Sequence, residues 1–333
     1  MLEPTRFYEP FLEYYRKAEY LQRHCNIGHV SYTHPSVTAK VNDSLMQHVE
    51  IYDCVQRRYA GFSNLPQDLW HAETSPKIHH QPDAQQHVTR SYARLRGTWD
   101  TQTWFYVLLL HRVTGSGASF EQDHGYRNSV IPELAKLDTI LEMVDYLAEH
   151  TKPFFTSIGN QPPQADNKRY LREHAPVITG ELVQWLNKLT QKPSIRDVVD
   201  WMNTWNMSHG YKRFSFVYTA FAMDLSDYMP ELVEPRSRIY YGSNATKCAH
   251  ILFNKPRRLN QLDFLNRVST YVMHDTGGYP KDTEDVFCDF VRYLNNYIPN
   301  STLGTYKHLI GHVSNNSGVQ RSDLPEWAQK YGT

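Results

Sequence analysis

The sequence predicts a mainly α-helical fold. Three observations point to it. Apolar residues recur at three- and four-residue spacing within 182–189, 195–205, 262–272 and 286–294, as one face of a helix requires. Cap and break residues bound such segments: Ser194 with Asp197 at one start, Gly277-Gly278 at one end, Pro256 beyond another. Alternating apolar and polar runs, the mark of half-buried strands, are scarce.

Taken in order, residues 3–24 predict a helix with Phe7, Phe11, Tyr14, Tyr15 and Leu21 on one face. A polar, Pro- and Gln-rich stretch over 66–86 reads as a long loop or lid. Between His87 and Leu110 helices are expected on either side of a turn at Gly97. Helix 131–149 takes Pro132 in its first turn after an Asn128/Ser129 cap, with Leu134, Leu137, Leu141 and Val144 inward. Residues 151–178 contain Pro and Gly and read as irregular. Helices 180–190 and 194–205 follow, the second with Ser194 as cap. The stretch Phe214 to Tyr228 is too evenly apolar for periodicity to choose between helix and strand. A short helix holds Lys247 and Cys248 and stops before Pro256. Helix 259–273 ends at the Gly277-Gly278 break, Asp282 is expected to cap the next helix with Asp285 in the capping-box place, and a shorter helix spans 302–312.

The chain has 333 residues, enough for one large domain or two smaller ones. We read it as a single catalytic unit over 1–333, with lobes at 1–150 and 179–333 joined by 151–178. Lysines plus arginines number 35 and acids 35. That balance excludes a strongly basic nucleic-acid coat but allows local patches. Such patches occur at Arg90/Arg94/Arg96 and at Lys212-Arg213. These five are the candidate DNA contacts, against the plainer reading of solvated faces. The four cysteines form no CxxC pair, which argues against a disulfide scaffold and a Cys-rich zinc site. Histidines at 24, 29 and 34 lack carboxylate partners and read as loop residues, so no metal site is assigned. The first twenty residues are too polar and acidic for a signal peptide, and no apolar run of about twenty residues occurs. The expected location is cytoplasmic.

The densest chemistry lies between Trp104 and Pro132. An apolar run, Trp104 to Leu110, leads to Thr114-Gly115-Ser116-Gly117-Ala118-Ser119, then to Asp123-His124-Gly125-Tyr126-Arg127-Asn128. Glycines let backbone N–H groups approach an anion, and hydroxyls add donors. Arg112 and Arg127 flank the loop with planar guanidinium forks. The loop is not a Walker A loop, since no Gly-Lys-Ser/Thr follows, and Phe120 breaks any GxGxxG spacing. A buried turn is the plainer alternative.

His111-Arg112-Val113-Thr114-Gly115-Ser116-Gly117-Ala118-Ser119-Phe120, with Asp123-His124-Gly125-Tyr126-Arg127-Asn128 after it, resembles the core motif of a bacteriophage family. That family comprises alpha-glutamyl/putrescinyl thymine pyrophosphorylases and amino acid:DNA transferases. The match covers about thirty of the 333 residues. The resemblance implies displacement of pyrophosphate from 5-pyrophosphoryloxymethyl-deoxyuridine in DNA by an amine, an amino acid such as glycine or a polyamine. The product is a hypermodified thymine, made in the cytoplasm of an infected bacterial host.

On that implication Arg112, Asp123 and His124 are the catalytic candidates. Thr114, Gly115, Ser116, Gly117, Ser119, Arg127 and Asn128 are the substrate-binding candidates. Asn128 is equally read as a helix cap. The substrate arrives activated, so no cofactor is required; a divalent ion on the pyrophosphate is compatible with the chemistry, but no carboxylate cluster supports one. Cys248 adding to C6 of the ring is a further conceivable aid, against the plain alternative of a buried structural thiol. A base inside a duplex must be flipped out, which suits the 13% aromatic content. The helical character is compatible with a two-lobed, DNA-glycosylase-like bundle, by analogy alone. Two other readings stand beside the transferase: a glycosylase-like base-processing enzyme and a non-catalytic DNA-binding module.

Overall fold

A computed structural model describes residues 2–25, 99–113, 136–150, 169–298 and 300–306. Of these residues 71% are helical and 3% lie in strands, so the fold is mainly α. They divide into two compact units, one holding 2–25 with 241–306, the other the described residues between 99 and 240.

In the first unit a two-residue strand, β1 (Glu3–Pro4), precedes helix α1 (Tyr8–Cys25). The start is therefore not helical from residue 3 as expected. Glu3 and Pro4 pair instead, antiparallel, with Asn254 and Phe253, and Thr5 donates its backbone N–H to Leu252 at 2.8 Å. Phe7, Phe11, Tyr14 and Tyr15 are buried, as the expected aromatic face requires. Phe11 meets Phe287 and Phe290 edge-on, each at 5.3 Å between ring centroids. Edge-to-face pairs set ring positive edge against negative face.

Among the described residues the first helix of the second unit is α2 (Thr101–Val113). Trp104 through Leu110 are all buried, so this helix is apolar on every side and lies in the core. The segment α3 (Ile140–His150) corrects the expectation of one helix over 131–149. Residues 136–139 form a turn and bend, while 131–135 lie outside the described residues. Thr139 and Glu142 explain the late start. Glu142 accepts from the Asp138 and Thr139 N–H groups at 2.9 and 2.8 Å, and Thr139 Oγ1 accepts from Glu142 N–H at 3.2 Å. That reciprocal pair is a capping box. Leu141, expected inward, is 74% exposed; Met143 and Val144 are the buried pair.

The described part of 151–178 is not irregular. A π-helical turn, Tyr170–His174, runs into α4 (Ala175–Lys188), which has Pro176 in its first turn. Gly180 faces α2: a methyl there would stand 2.8 Å from Gln102 Nε2. Helix α5 (Ile195–Ser208) carries the expected box: Asp197 N–H donates to Ser194 Oγ at 3.1 Å, and Ser194 N–H to Asp197 Oδ2 at 2.9 Å. Phe214 to Tyr228 resolves as α6 (Ser215–Tyr228). Burial extends round the helix, from Val217, Phe221 and Leu225 on one side to Thr219, Met223 and Ser226 on the other, which is why its period was unreadable.

The first unit resumes with α7 (Ser243–Leu252) and β2 (Phe253–Asn254). Helix α8 (Gln261–Thr276) is capped by Asn260, whose Oδ1 accepts from Asp263 N–H at 2.9 Å. It stops at Gly277, φ 73°, a left-handed backbone that glycine takes without Cβ penalty. Helix α9 (Pro280–Tyr297) corrects the role given to Asp282. The helix starts three residues earlier, on Pro280 with Tyr279 as its cap residue, and Asp282 reaches back to accept from Tyr279 N–H at 2.8 Å. The expected inward residues Val286, Phe290 and Leu294 are buried. A short α10 (Asn300–Leu303) and a 3-10 turn, Gly304–Tyr306, stand where the helix over 302–312 was expected. Residues 307–312 are outside the described residues.

Candidate functional site

The predicted loop reaches the structure only at its entrance. The backbone of Arg112 belongs to the last turn of α2, and the described chain stops at Val113. Thr114, Gly115, Ser116, Gly117, Ser119, Asp123, His124, Arg127 and Asn128 lie outside the described residues, as do Arg90, Arg94 and Arg96. Two electrostatic consequences follow from the helices nearby. The last turn of α2 is the negative end of a helix dipole, which disfavours an anion placed beyond it. The expected help from a following helix N-terminus changes too. The described helix starts at Ile140, and Glu142 already occupies the N–H groups of Asp138 and Thr139.

Lys212 and Arg213 are described and exposed. They sit on the connection between α5 and α6, which two buried asparagines hold in place. Asn203 Oδ1 accepts from Phe214 N–H at 2.8 Å, and its Nδ2 donates to Ser215 Oγ at 3.0 Å. Asn206 Nδ2 donates to the Lys212 carbonyl at 3.0 Å, and its backbone carbonyl accepts from Tyr211 N–H at 2.8 Å. Gly210 supplies the one left-handed residue, φ 78°, that the reversal needs. From below, Tyr170 donates to the Tyr218 hydroxyl at 3.2 Å, and Tyr218 donates to Asn206 Oδ1 at 3.0 Å. Burial pushes both phenols far above their usual range.

Aromatic residues line the same connection. His209 stacks on Trp205 at 4.0 Å and gives its Nδ1–H to the Trp205 carbonyl at 2.8 Å. The Trp205 indole in turn donates to Glu181 Oε2 at 2.6 Å. Tyr211 packs edge-on against His174 at 4.3 Å. His174 is buried, and its Nε2 has no hydrogen-bond partner among the described residues. Burial holds its imidazole below the usual range, with Glu173 opposing and Arg169 and His209 adding to the shift. It closes the π-helical turn, an element that often marks functional positions. None of Asn203, Asn206 or His174 stood out in the sequence. The available signal was two asparagines three apart at the end of the apolar repeat of 195–205.

The first unit holds other chemistry. Tyr8 donates to Asp275 Oδ2 at 2.8 Å, and His274 Nδ1 meets Asp275 Oδ1 at 3.0 Å. The His274 hydrogen bond, then that of Tyr8, holds the Asp275 carboxyl below its usual range. His274 is open to solvent. At the head of α9, Lys281, Asp282 and Glu284 are buried. Lys281 lies 3.5 Å from Asp282, and Glu284 accepts from Gly242 N–H at 3.2 Å. The sequence marked Asp282 only as a helix cap, so this burial was not legible. Cys248 is fully buried, and burial pushes its thiol well above the usual range. A thiol so held is a poor nucleophile. Among the described residues no group of three His, Cys, Asp or Glu side chains could hold a metal ion. Nor is any described helix long and apolar enough to cross a membrane.

Comparison with protein-family models, curated proteins and solved structures found no match.

Proposed function

We propose that this chain is an amine:DNA transferase. It displaces pyrophosphate from 5-pyrophosphoryloxymethyl-deoxyuridine with an amino acid or a polyamine. The observation that carries this reading is the run His111 to Phe120 followed by Asp123 to Asn128. Support also comes from the buried helix α2, which ends one residue before Thr114 and gives the loop a fixed root.

The chemistry needs three things of the chain. The amine nitrogen donates its lone pair to the exocyclic methylene carbon, and the bond from that carbon to the pyrophosphate oxygen breaks. Pyrophosphate leaves with the bonding electrons. Its charge is met by the backbone N–H groups of Gly115 to Ser119 and by the guanidinium groups of Arg112 and Arg127. The attacking nitrogen starts as an ammonium near neutral pH and must lose a proton. Asp123 or His124 takes it. Asn128 addresses a base edge or caps its own segment. No bound cofactor is required.

The test is nucleoside mass spectrometry. A defined DNA carrying 5-pyrophosphoryloxymethyluracil is incubated with the protein and a mixture of amino acids and polyamines. The expected result is an adduct mass with one pyrophosphate released per adduct, which also names the amine. Free base and abasic sites would replace the transferase with a glycosylase. An unchanged base would remove both.

A further inference from the structure

We propose that the connection between α5 and α6 is a docking surface for single-stranded nucleic acid. Lys212 and Arg213 hold phosphates, and Phe216 stacks on an unpaired base. The surface rests on the reading of DNA as substrate and adds to it the strand form and the residues that grip it.

Four observations carry it. Lys212 and Arg213 are both exposed, and among the described residues neither is paired with a carboxylate; Arg213 Nε instead meets Met207 Sδ at 3.5 Å. Phe216 is 52% exposed and Met207 46% exposed. The exposed ring, the thioether and the two cations fall within ten consecutive residues, 207–216. The loop is already ordered: Asn206 holds the Lys212 carbonyl and Asn203 the Phe214 N–H, on either side of Arg213, so docking pays little to immobilise it. Lys212, Arg213 and Phe216 fall within five consecutive residues, and the last stands in the first turn of α6.

A single strand presents what this surface lacks, anions alternating with flat apolar faces. Base stacking on an aromatic side chain tolerates any sequence, because every base has a π face. A duplex hides those faces, and two cations are too few to hold it by charge alone. An acidic peptide satisfies the cations but leaves Phe216 unused.

The experiment measures binding of the full chain to a labelled, unmodified oligothymidylate over a range of salt. The double variant Lys212→Gln/Arg213→Gln is expected to bind at least about tenfold more weakly, with the salt slope smaller by about 1.4, since each single-strand phosphate contact contributes about 0.7. Phe216→Ala is expected to lose about fivefold or more with an unchanged salt slope, and Phe216→Trp to restore affinity. All three positions are exposed, so thermal unfolding should match that of the parent. Equal affinity across parent and variants overturns the surface while leaving the transferase reading intact. Competition by polyglutamate as strong as by oligothymidylate also overturns it, in favour of an acidic protein. Loss in the variants together with no amine transfer by the parent supports the surface and sinks the transferase.

Discussion

Asn203 Oδ1 accepts the backbone N–H of Phe214 at 2.8 Å, joining residues 11 apart across the reversal between two helices. The donor is buried, so truncation leaves it without a partner. Asn203→Ala should therefore cost about 2 kcal/mol, more than the net worth of an average hydrogen bond. Urea unfolding reads this as a lower midpoint at unchanged slope. A loss below about 0.5 kcal/mol would mean that water reaches the site.

His174 gives a pH dependence of defined sign. Its imidazole is held below the ordinary value by burial, so between the two values the unfolded chain binds the extra proton. Stability then rises with pH. The contribution is fully present above about pH 6.5, the unfolded value, and is lost as pH falls through the folded one. His250 is shifted the same way, also by burial. The melting temperature should fall on acidification from pH 7.5 to 5, and His174→Phe should flatten part of that fall. An unaltered pH profile in the variant would show that Nε2 finds water.

Gly180 tests the contact between α2 and α4. A methyl group there meets Gln102 Nε2 at 2.8 Å, and that amide donates to the Pro176 carbonyl at 3.2 Å. The intruding atoms are the far end of a flexible side chain. Gly180→Ala should gain up to about 1 kcal/mol of helix propensity and lose a comparable hydrogen bond. The net change should lie within about 1 kcal/mol of zero in thermal or urea unfolding. Gly180→Leu should cost several times more.

Arg112→Ala and Asp123→Ala should each abolish amine transfer while leaving a folded protein with unchanged far-ultraviolet circular dichroism. Near-normal turnover in both would remove the site assignment around the Gly/Ser loop.

Cys248 separates two chemical routes. Its thiol is fully buried and held protonated. Cys248→Ala should cost about 1 kcal/mol of stability, as other small core truncations do, and leave turnover intact. A large loss of turnover with preserved stability would restore thiol addition to the ring.

Much of the helical layout was legible because its signals are local. Ser194 with Asp197 and the Gly277 break are short-range devices, and both stand where expected. The misreadings come from competing local signals and from partners distant in the chain. At 131–149 the leucine repeat continued through Thr139, but Glu142 closes a box on Thr139, Leu141 turns to solvent, and Met143 joins the expected Val144 inside. Glu3-Pro4 reads as helix start in isolation, and only pairing with Phe253-Asn254 makes it a strand. The partner lies some 250 residues away, beyond the reach of any window. The tyrosine–asparagine scaffold under Lys212 was invisible for the same reason: Tyr170 and Tyr218 meet 48 residues apart. Of the predicted site residues, the described structure holds Lys212, Arg213 and the backbone of Arg112.

The pairing of β1 with β2 has a consequence for biosynthesis. Residues 99 to 240 leave the ribosome before the partners of α1 exist. Phe11 must wait for Phe287 and Phe290, which follow it by roughly 280 residues, or about 14–55 s at ordinary elongation rates. During that interval an aromatic face built for burial is a natural client for a ribosome-associated chaperone.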